Sequence, residues 1–269
     1  MRNKGGKMTL DKMLCFFSIV LVFGGCIAET SAGPPKTEFD AIDFDFGRIP
    51  PDAVVTHIYK LTNSGGDSIV IEKVRPYCGC TKAPLTKTVI YPGETAPIEL
   101  RFNSRGYRGR AKKSAAVTVK IGENTEKYRL TFVTQTDTGN IPFSTGEVGV
   151  YPYAVEFTDS IKTAKITITN RTAAKRVVRV DDYQSDRLKL SWNKKTLGPK
   201  KEAVLEVTRL VPADGIVASI TIESPGRYNT RITIPVSERK ATSRSSSRSG
   251  VHRSPDRPMY ENPWQQQRK

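Results

Sequence analysis

Two cysteines, Cys78 and Cys80, flank a glycine in the stretch Tyr77-Cys78-Gly79-Cys80-Thr81, and no other cysteine lies beyond residue 26. Thiols one residue apart can do three things. They can close a disulfide: Gly79 has no side chain, so the backbone can bend sulfur toward sulfur, although so small a ring is strained and therefore labile. They can hold a soft metal as thiolates, copper(I) or zinc(II). They can also pack as small groups at the end of a sheet. Disulfide or packing use ranks above metal, and metal above catalysis. A closed zinc site needs four ligands, and a thiol nucleophile needs a base and an oxyanion hole that no residue pattern here supplies. Redox enzymes of thioredoxin type use Cys-x-x-Cys at a helix start, and both spacing and context differ.

The chain has two histidines, His57 and His252. His57 is the weaker candidate ligand beside the cysteines. If Asn63–Asp67 joined a hairpin, the start of the His57 strand would lie near the end of the strand leading to Cys78. Yet His57 alternates in step with Val55, Tyr59 and Leu61, and a packed core histidine is the commoner outcome. Asp181 and Asp182 read as a solvated turn. No phosphate-binding glycine loop, nucleophile elbow or histidine pair occurs. The expectation is a non-enzyme without cofactor, the alternative being copper or zinc at Cys78 and Cys80.

The elements that would position these residues are all strands. The leader comes first. Residues 1–12 are basic and polar, and Met13–Phe23 is an apolar run too short to span a bilayer comfortably, which fits a secretory signal. Gly24-Gly25-Cys26 follows, as in the bacterial lipobox, where Cys26 is lipidated and becomes the mature N-terminus; Phe23 replaces the usual Leu, and cleavage after Ala32 is the alternative. The expected location is periplasmic, attached to the membrane through that anchor. The net charge is +16. Four cations face one carboxylate in residues 1–26, and eight face three in residues 238–269. Such a field favours an acidic partner, an envelope protein or an anionic lipid or glycan surface. Nucleic acid is disfavoured, because no recognition helix, zinc finger or aromatic RNA-binding motif is present.

From Phe44 to Val133 the sequence alternates and turns as seven short strands in about a hundred residues, the pattern of an immunoglobulin-type sandwich. Four motifs occur there in order: Phe44-Asp45-Phe46-Gly47-Arg48-Ile49, Leu61-Thr62-Asn63-Ser64-Gly65, Cys78-Gly79-Cys80-Thr81 and Pro92-Gly93-Glu94. On these motifs residues 39–135 resemble a bacterial exported domain family of unknown function, itself similar to the ASH/hydin and major-sperm-protein group. The resemblance implies a seven-stranded sandwich in an exported or lipid-anchored protein, and brings no established activity.

The strand order then recurs. Lys165–Asn170 answers Tyr59–Asn63, Leu197-Gly198-Pro199 answers the Pro92-Gly93 turn, and Ala203–Val207 answers Ile98–Phe102, with Asp181–Ser185 where the cysteines stood. The expected architecture is all-β: a signal segment (1–26), a stalk (27–38), a first sandwich (39–135), a linker (136–140), a degenerate second sandwich (141–237) and a disordered basic tail (238–269). Serine, arginine and proline in the tail leave too little apolar surface to offset ordering entropy. Tyr260 and Trp264, the tail's two aromatics, are a weak candidate docking motif. Asn170-Arg171-Thr172 matches a glycosylation sequon, which carries little weight behind a bacterial-type leader.

Overall fold

The computed structural model describes residues 36–137, 146–226 and 230–238. The leader with Cys26, nearly all of the stalk, and the tail with Tyr260 and Trp264 lie outside these residues. The described residues are all-β, without a helix. Nine strands run from Thr37 to Thr136: β1 (Thr37–Phe39), β2 (Asp43–Ile49), β3 (Val54–Asn63), β4 (Ile69–Pro76), β5 (Thr81–Lys82), β6 (Val89–Ile90), β7 (Thr95–Asn103), β8 (Gly109–Ile121) and β9 (Asn124–Thr136). Ten follow: β10 (Val148–Tyr151), β11 (Val155–Phe157), β12 (Thr163–Asn170), β13 (Arg176–Val177), β14 (Arg179–Tyr183), β15 (Leu188–Trp192), β16 (Thr196–Leu197), β17 (Glu202–Arg209), β18 (Val217–Ser224) and β19 (Thr230–Glu238).

Alternation decides which face each strand buries, because successive side chains point to opposite faces. Val55, Tyr59 and Leu61 of β3, Ala96, Ile98, Leu100 and Phe102 of β7, and Ala115, Val117, Val119 and Ile121 of β8 all point into one core. Phe46, Phe102 and Phe132 meet there with ring centroids 5.3–5.4 Å apart. Full burial of such a side chain is worth about 1.5–3 kcal/mol. A second, separate core gathers Phe157, Ile166, Leu205, Ile220 and Ile234.

One pairing order occurs twice. β1-β3-β7-β5 form one four-stranded sheet, and β10-β12-β17-β15 form another. β2 lies parallel to β9, which pairs with β8, which pairs with β4; likewise β11 lies parallel to β19, which pairs with β18, which pairs with β14. The local chemistry repeats as well. Asn63 Nδ2 donates to the carbonyls of Asp67 and Ile90. Asn170 Nδ2 donates to those of Ala174 and Leu197, at the same two sequence offsets. Gly93, at φ +78°, and Lys200, at φ +57°, turn the chain at matching places. Asn170 is fully buried, so its side chain is inaccessible as a glycosylation acceptor in the folded protein.

The two cores share a sheet. β19 runs parallel to β2, with Ile232 beside Arg48, so one nine-stranded sheet, eight strands in the order β14-β18-β19-β2-β9-β8-β4-β6 and β11 beside β19 as the ninth, passes through both. Several details differ from the sequence expectations. Thr37 and Glu38, expected in the stalk, pair with Asn63 and Thr62. Thr136, expected to open the linker, ends β9, and Asp137 is buried in an ion pair with Arg48. The Asn63–Asp67 segment is not a hairpin turn. β3 pairs with β1 and β7, whereas β4 pairs with β6 and β8, so the segment carries the chain from one sheet to the other. β15 and the short β1, β5, β10, β11 and β16 had no clear sequence signal, since tertiary pairing rather than propensity holds them.

Candidate functional site

Cys78 and Cys80 follow the end of β4, and the structure joins them by a disulfide, with Cα atoms 5.3 Å apart. The loop is pinned at both ends. Tyr77 N donates to the Ser114 carbonyl of β8, and Asn103 N of β7 donates to the Cys80 carbonyl. The loop therefore bridges the two sheets of the first core. Thr81 Oγ1 lies 3.3 Å from Cys78 Sγ and 3.8 Å from Cys80 Sγ. Cys80 packs against the core, and a side chain at Gly79 would meet no atom within 4 Å, so the outer side is open. So short a ring removes little loop-closure entropy from the unfolded chain. Changing both cysteines (Cys78→Ser, Cys80→Ser) is expected to cost only about 1–2 kcal/mol in a chemical denaturation titration; a variant that fails to fold would make the bridge a structural keystone.

His57 is not placed beside the cysteines by strand pairing. Its ring stacks on Phe44 at 3.6 Å between centroids, meets Tyr59 edge-on, and places Nδ1 2.9 Å from Asp182 Oδ2 on β14. Asp181 and Asp182 thus do not form a solvated turn. Asp182 holds His57, and Asp181 binds Arg231 at 2.5 Å. Among the described residues no three of His, Cys, Asp and Glu gather in a metal-ligating group.

The most elaborate polar cluster lies where the two cores meet. The outward faces of β3 and β7, polar in sequence, are covered there by the second half. Thr56 N donates to Ser219 Oγ at 2.9 Å, Ser219 N donates to Gln184 Oε1, and Gln184 Nε2 donates back to the Thr56 carbonyl. All three residues are buried. Beside them Glu99, 7% exposed, accepts a paired hydrogen bond from Arg187 at 2.9 Å to each oxygen, a second pair from Arg101 at 2.9 and 3.2 Å, and one from Thr56 Oγ1 at 2.8 Å. Burial raises the Glu99 pKa, but the bonds from Arg187, Arg101 and Thr56, with the Arg187 charge, outweigh it and hold the carboxyl at about 2.

Gly47 and Arg231 fix the other side of this seam. Gly47 takes φ +63°, and a side chain there would meet the Arg231 backbone. The Arg231 guanidinium lies over the Phe44 ring and donates to the Asp45 carbonyl. An open cleft of about 590 Å³ beside it is lined by Asp45, Gly47, Arg48, Arg110, Gln135 and Arg231 among others. Two of its three arginines are already engaged, Arg48 by Asp137 and Arg231 by Asp181.

Sequence reasoning found the cysteine loop and His57 but missed Glu99, Gln184, Arg187 and Asp182. Glu99 and Asp182 sit on strands, and Gln184 and Arg187 in the turn between β14 and β15; in both settings a polar residue signals solvent. The one available signal was Gly47, a glycine inside an apolar strand, which marks close backbone approach.

The comparisons with known proteins fit this description in part. Residues 37–135 match a family described as protein of unknown function (DUF1573), within two residues of the span expected at 39–135. No curated protein matches the chain. Among solved structures, a protein of unknown function from Porphyromonas gingivalis W83 is 13% identical, with a TM-score of 0.34 over 75% of this chain and 99% of the other. The ASH/PapD-like domain 7 of human CEP192 is 12% identical, with a TM-score of 0.33 over 49% of this chain and 97% of that domain. The periplasmic chaperone SfaE is 12% identical, with a TM-score of 0.32 over 76% of this chain and all of the other. Likenesses this distant say nothing about what the chain binds or does.

Proposed function

We propose that the protein is exported, is anchored through a lipid on Cys26 and serves as a non-catalytic binding or assembly module of the cell envelope. It consists of two immunoglobulin-like sandwiches fused in tandem, the second a degenerate copy of the first. The observation that carries this reading is the commitment of the chemistry-bearing side chains to structure. His57 is held by Phe44, Tyr59 and Asp182, and Cys78 and Cys80 are bonded to each other. The outer faces and edge strands are what remain for function. An edge strand offers unpaired backbone groups to which a partner can add a strand.

A second reading, a thiol redox or copper-handling module, is favoured by one observation. The disulfide lies at a sandwich end with open space around Gly79. Two measurements separate these readings and test the anchor. The reduced, refolded protein is expected to retain no stoichiometric copper or zinc after dialysis and to show no turnover in reducing insulin disulfides; either activity would favour the second reading. Cys26→Ser is expected to move the protein from the membrane fraction to the soluble periplasm, because several acyl chains hold firmly where one is marginal. If both forms fractionate alike, the Cys26 anchor is wrong.

A further inference from the structure

The outer face of the nine-stranded sheet carries a trough on β8, away from the Glu99 cluster. β8 forms its floor. Ala115, Val117 and Val119 point into the core, so Lys112, Ser114, Ala116, Thr118 and Lys120 lie on the opposite face, Thr118 itself being only 5% exposed. The three middle residues are small, and a lysine closes the row at each end. The flanking strands form the walls. In register with Thr118 stand Lys73 of β4 and Lys127 of β9; in register with Ala116 stand Arg75 of β4 and Arg129 of β9. Six cations thus ring a floor of three small side chains, and all six are exposed.

The spacing follows from sheet geometry. Strands about 4.8 Å apart put the two walls about 10 Å from each other across β8, and the floor from Lys112 to Lys120 runs about 27 Å at about 3.4 Å per residue. Like charges facing each other across a sheet repel. Among the described residues none of the six is in an ion pair. Two carboxylates lie beside the walls: Glu72, at the bulge of β4, and Glu126 of β9, next to Lys127 but in register with the inward-facing Val119 and accepting hydrogen bonds from Thr37 and Tyr128. Tyr77, 57% exposed, stands at the end of the trough where the disulfide loop begins. Arg129 lies over its ring at 4.8 Å, and its backbone is bonded to Ser114.

We propose that this trough binds an extended polyanionic glycan chain bearing sulfate or uronate groups. Paired cation walls match negative charge repeated along both sides of a linear chain. The Ser114 hydroxyl on the floor suits a sugar hydroxyl, and the Tyr77 ring face that Arg129 does not cover suits the apolar face of a sugar ring. Single-stranded nucleic acid is read by successive aromatic stacking platforms, whereas Tyr77 alone borders this trough. A flat anionic bilayer meets only protruding side-chain tips and makes no use of a recessed floor. The assignment rests on the reading of the chain as a binding module and names the chemistry of its ligand.

The test is calorimetric titration of the full chain with a heparin oligosaccharide, its desulfated form, phosphatidylglycerol vesicles and single-stranded DNA at one salt concentration. The heparin oligosaccharide is expected to bind tightest at equal charge. Removing the walls (Lys73→Ser, Arg75→Ser, Lys127→Ser, Arg129→Ser) is expected to weaken it by about thirtyfold or more. The slope of log affinity against log salt should become shallower by roughly three to four, near one per cation removed, by analogy with counterion release from nucleic acids. A control that removes the same charge elsewhere (Lys60→Ser, Lys165→Ser, Lys189→Ser, Lys194→Ser) is expected to change affinity by less than about threefold. Ala116→Glu, which puts a carboxylate on the floor at a half-exposed position, is expected to abolish binding without lowering the melting temperature. Equal loss in the wall variant and the control, tighter binding of vesicles or DNA, or no glycan binding at all would overturn the assignment. None of these outcomes bears on the copper and insulin measurements, so the two proposals fail separately.

Discussion

Gly47→Ala is expected to lower the melting temperature by roughly 10 °C, a loss of about 3–5 kcal/mol for a body of this size. Two costs add. Gly47 has φ +63°, and an L side chain in the left-handed region costs about 1–2 kcal/mol. The larger cost is steric. An added Cβ would stand 2.2 Å from the Arg231 carbonyl oxygen and 2.6 Å from its carbonyl carbon, both backbone atoms. No rotamer change relieves that contact, so β2 and β19 must separate, and overpacking in a closed site costs about 1–3 kcal/mol or more. The damage is local to the seam. Hydrogen exchange should accelerate in β2 and β19, where Ile232 pairs with Arg48 and Thr233 Oγ1 donates to the Phe46 carbonyl, while the β8–β9 hairpin keeps its protection. An unchanged melting temperature would mean that the two strands are not joined as described.

Arg187→Ala is expected to be about as damaging, at about 3–5 kcal/mol, because it removes the more buried of the two arginines paired with Glu99 and leaves the carboxylate with only Arg101 and Thr56. Replacing both members (Glu99→Gln with Arg187→Met) should cost less than Arg187→Ala alone, since no buried carboxylate then lacks its partner and the remaining Arg101, a third exposed, can be hydrated; a costlier double variant would show that the charges themselves are needed. The same site sets an acid limit. The folded pKa of Glu99, about 2, lies below its ordinary 4.5. The carboxylate therefore favours the folded state, its contribution is complete above about 4.5, and it is lost as pH falls through about 2. A shift of this size corresponds to about 3 kcal/mol. Denaturation midpoints measured across that window should fall steeply in the parent protein and less steeply in Glu99→Gln. Parallel curves would exclude Glu99 as the source.

Alternation with period two made much of this fold legible in the sequence. Val55, Tyr59 and Leu61, or Ala115, Val117 and Val119, choose their face because successive side chains on a strand diverge, a rule that needs no partner. Glycine and asparagine turns marked most strand ends for an equally local reason, and the repeat of Tyr59–Asn63 in Lys165–Asn170 foretold that one pairing order would occur twice. The cysteine loop was visible because two thiols around a glycine are chemically distinctive in isolation. The remaining features depended on what lies across a strand. Thr56, Glu99 and Arg101 obey the alternation and face outward, and only the arrival of Gln184, Arg187 and Ser219 turns that outward face into a buried polar seam. His57 was placed near the cysteines on the assumption of a hairpin. The chain instead crosses between sheets at Asn63–Asp67, so a residue about 125 positions away, Asp182, becomes its partner. The cation ring around β8 was equally hidden, because Lys73, Arg75, Lys127 and Arg129 come together only through strand register. Sequence fixes the face a side chain takes on its own strand; the register between strands fixes its neighbours, and that depends on packing of the whole chain.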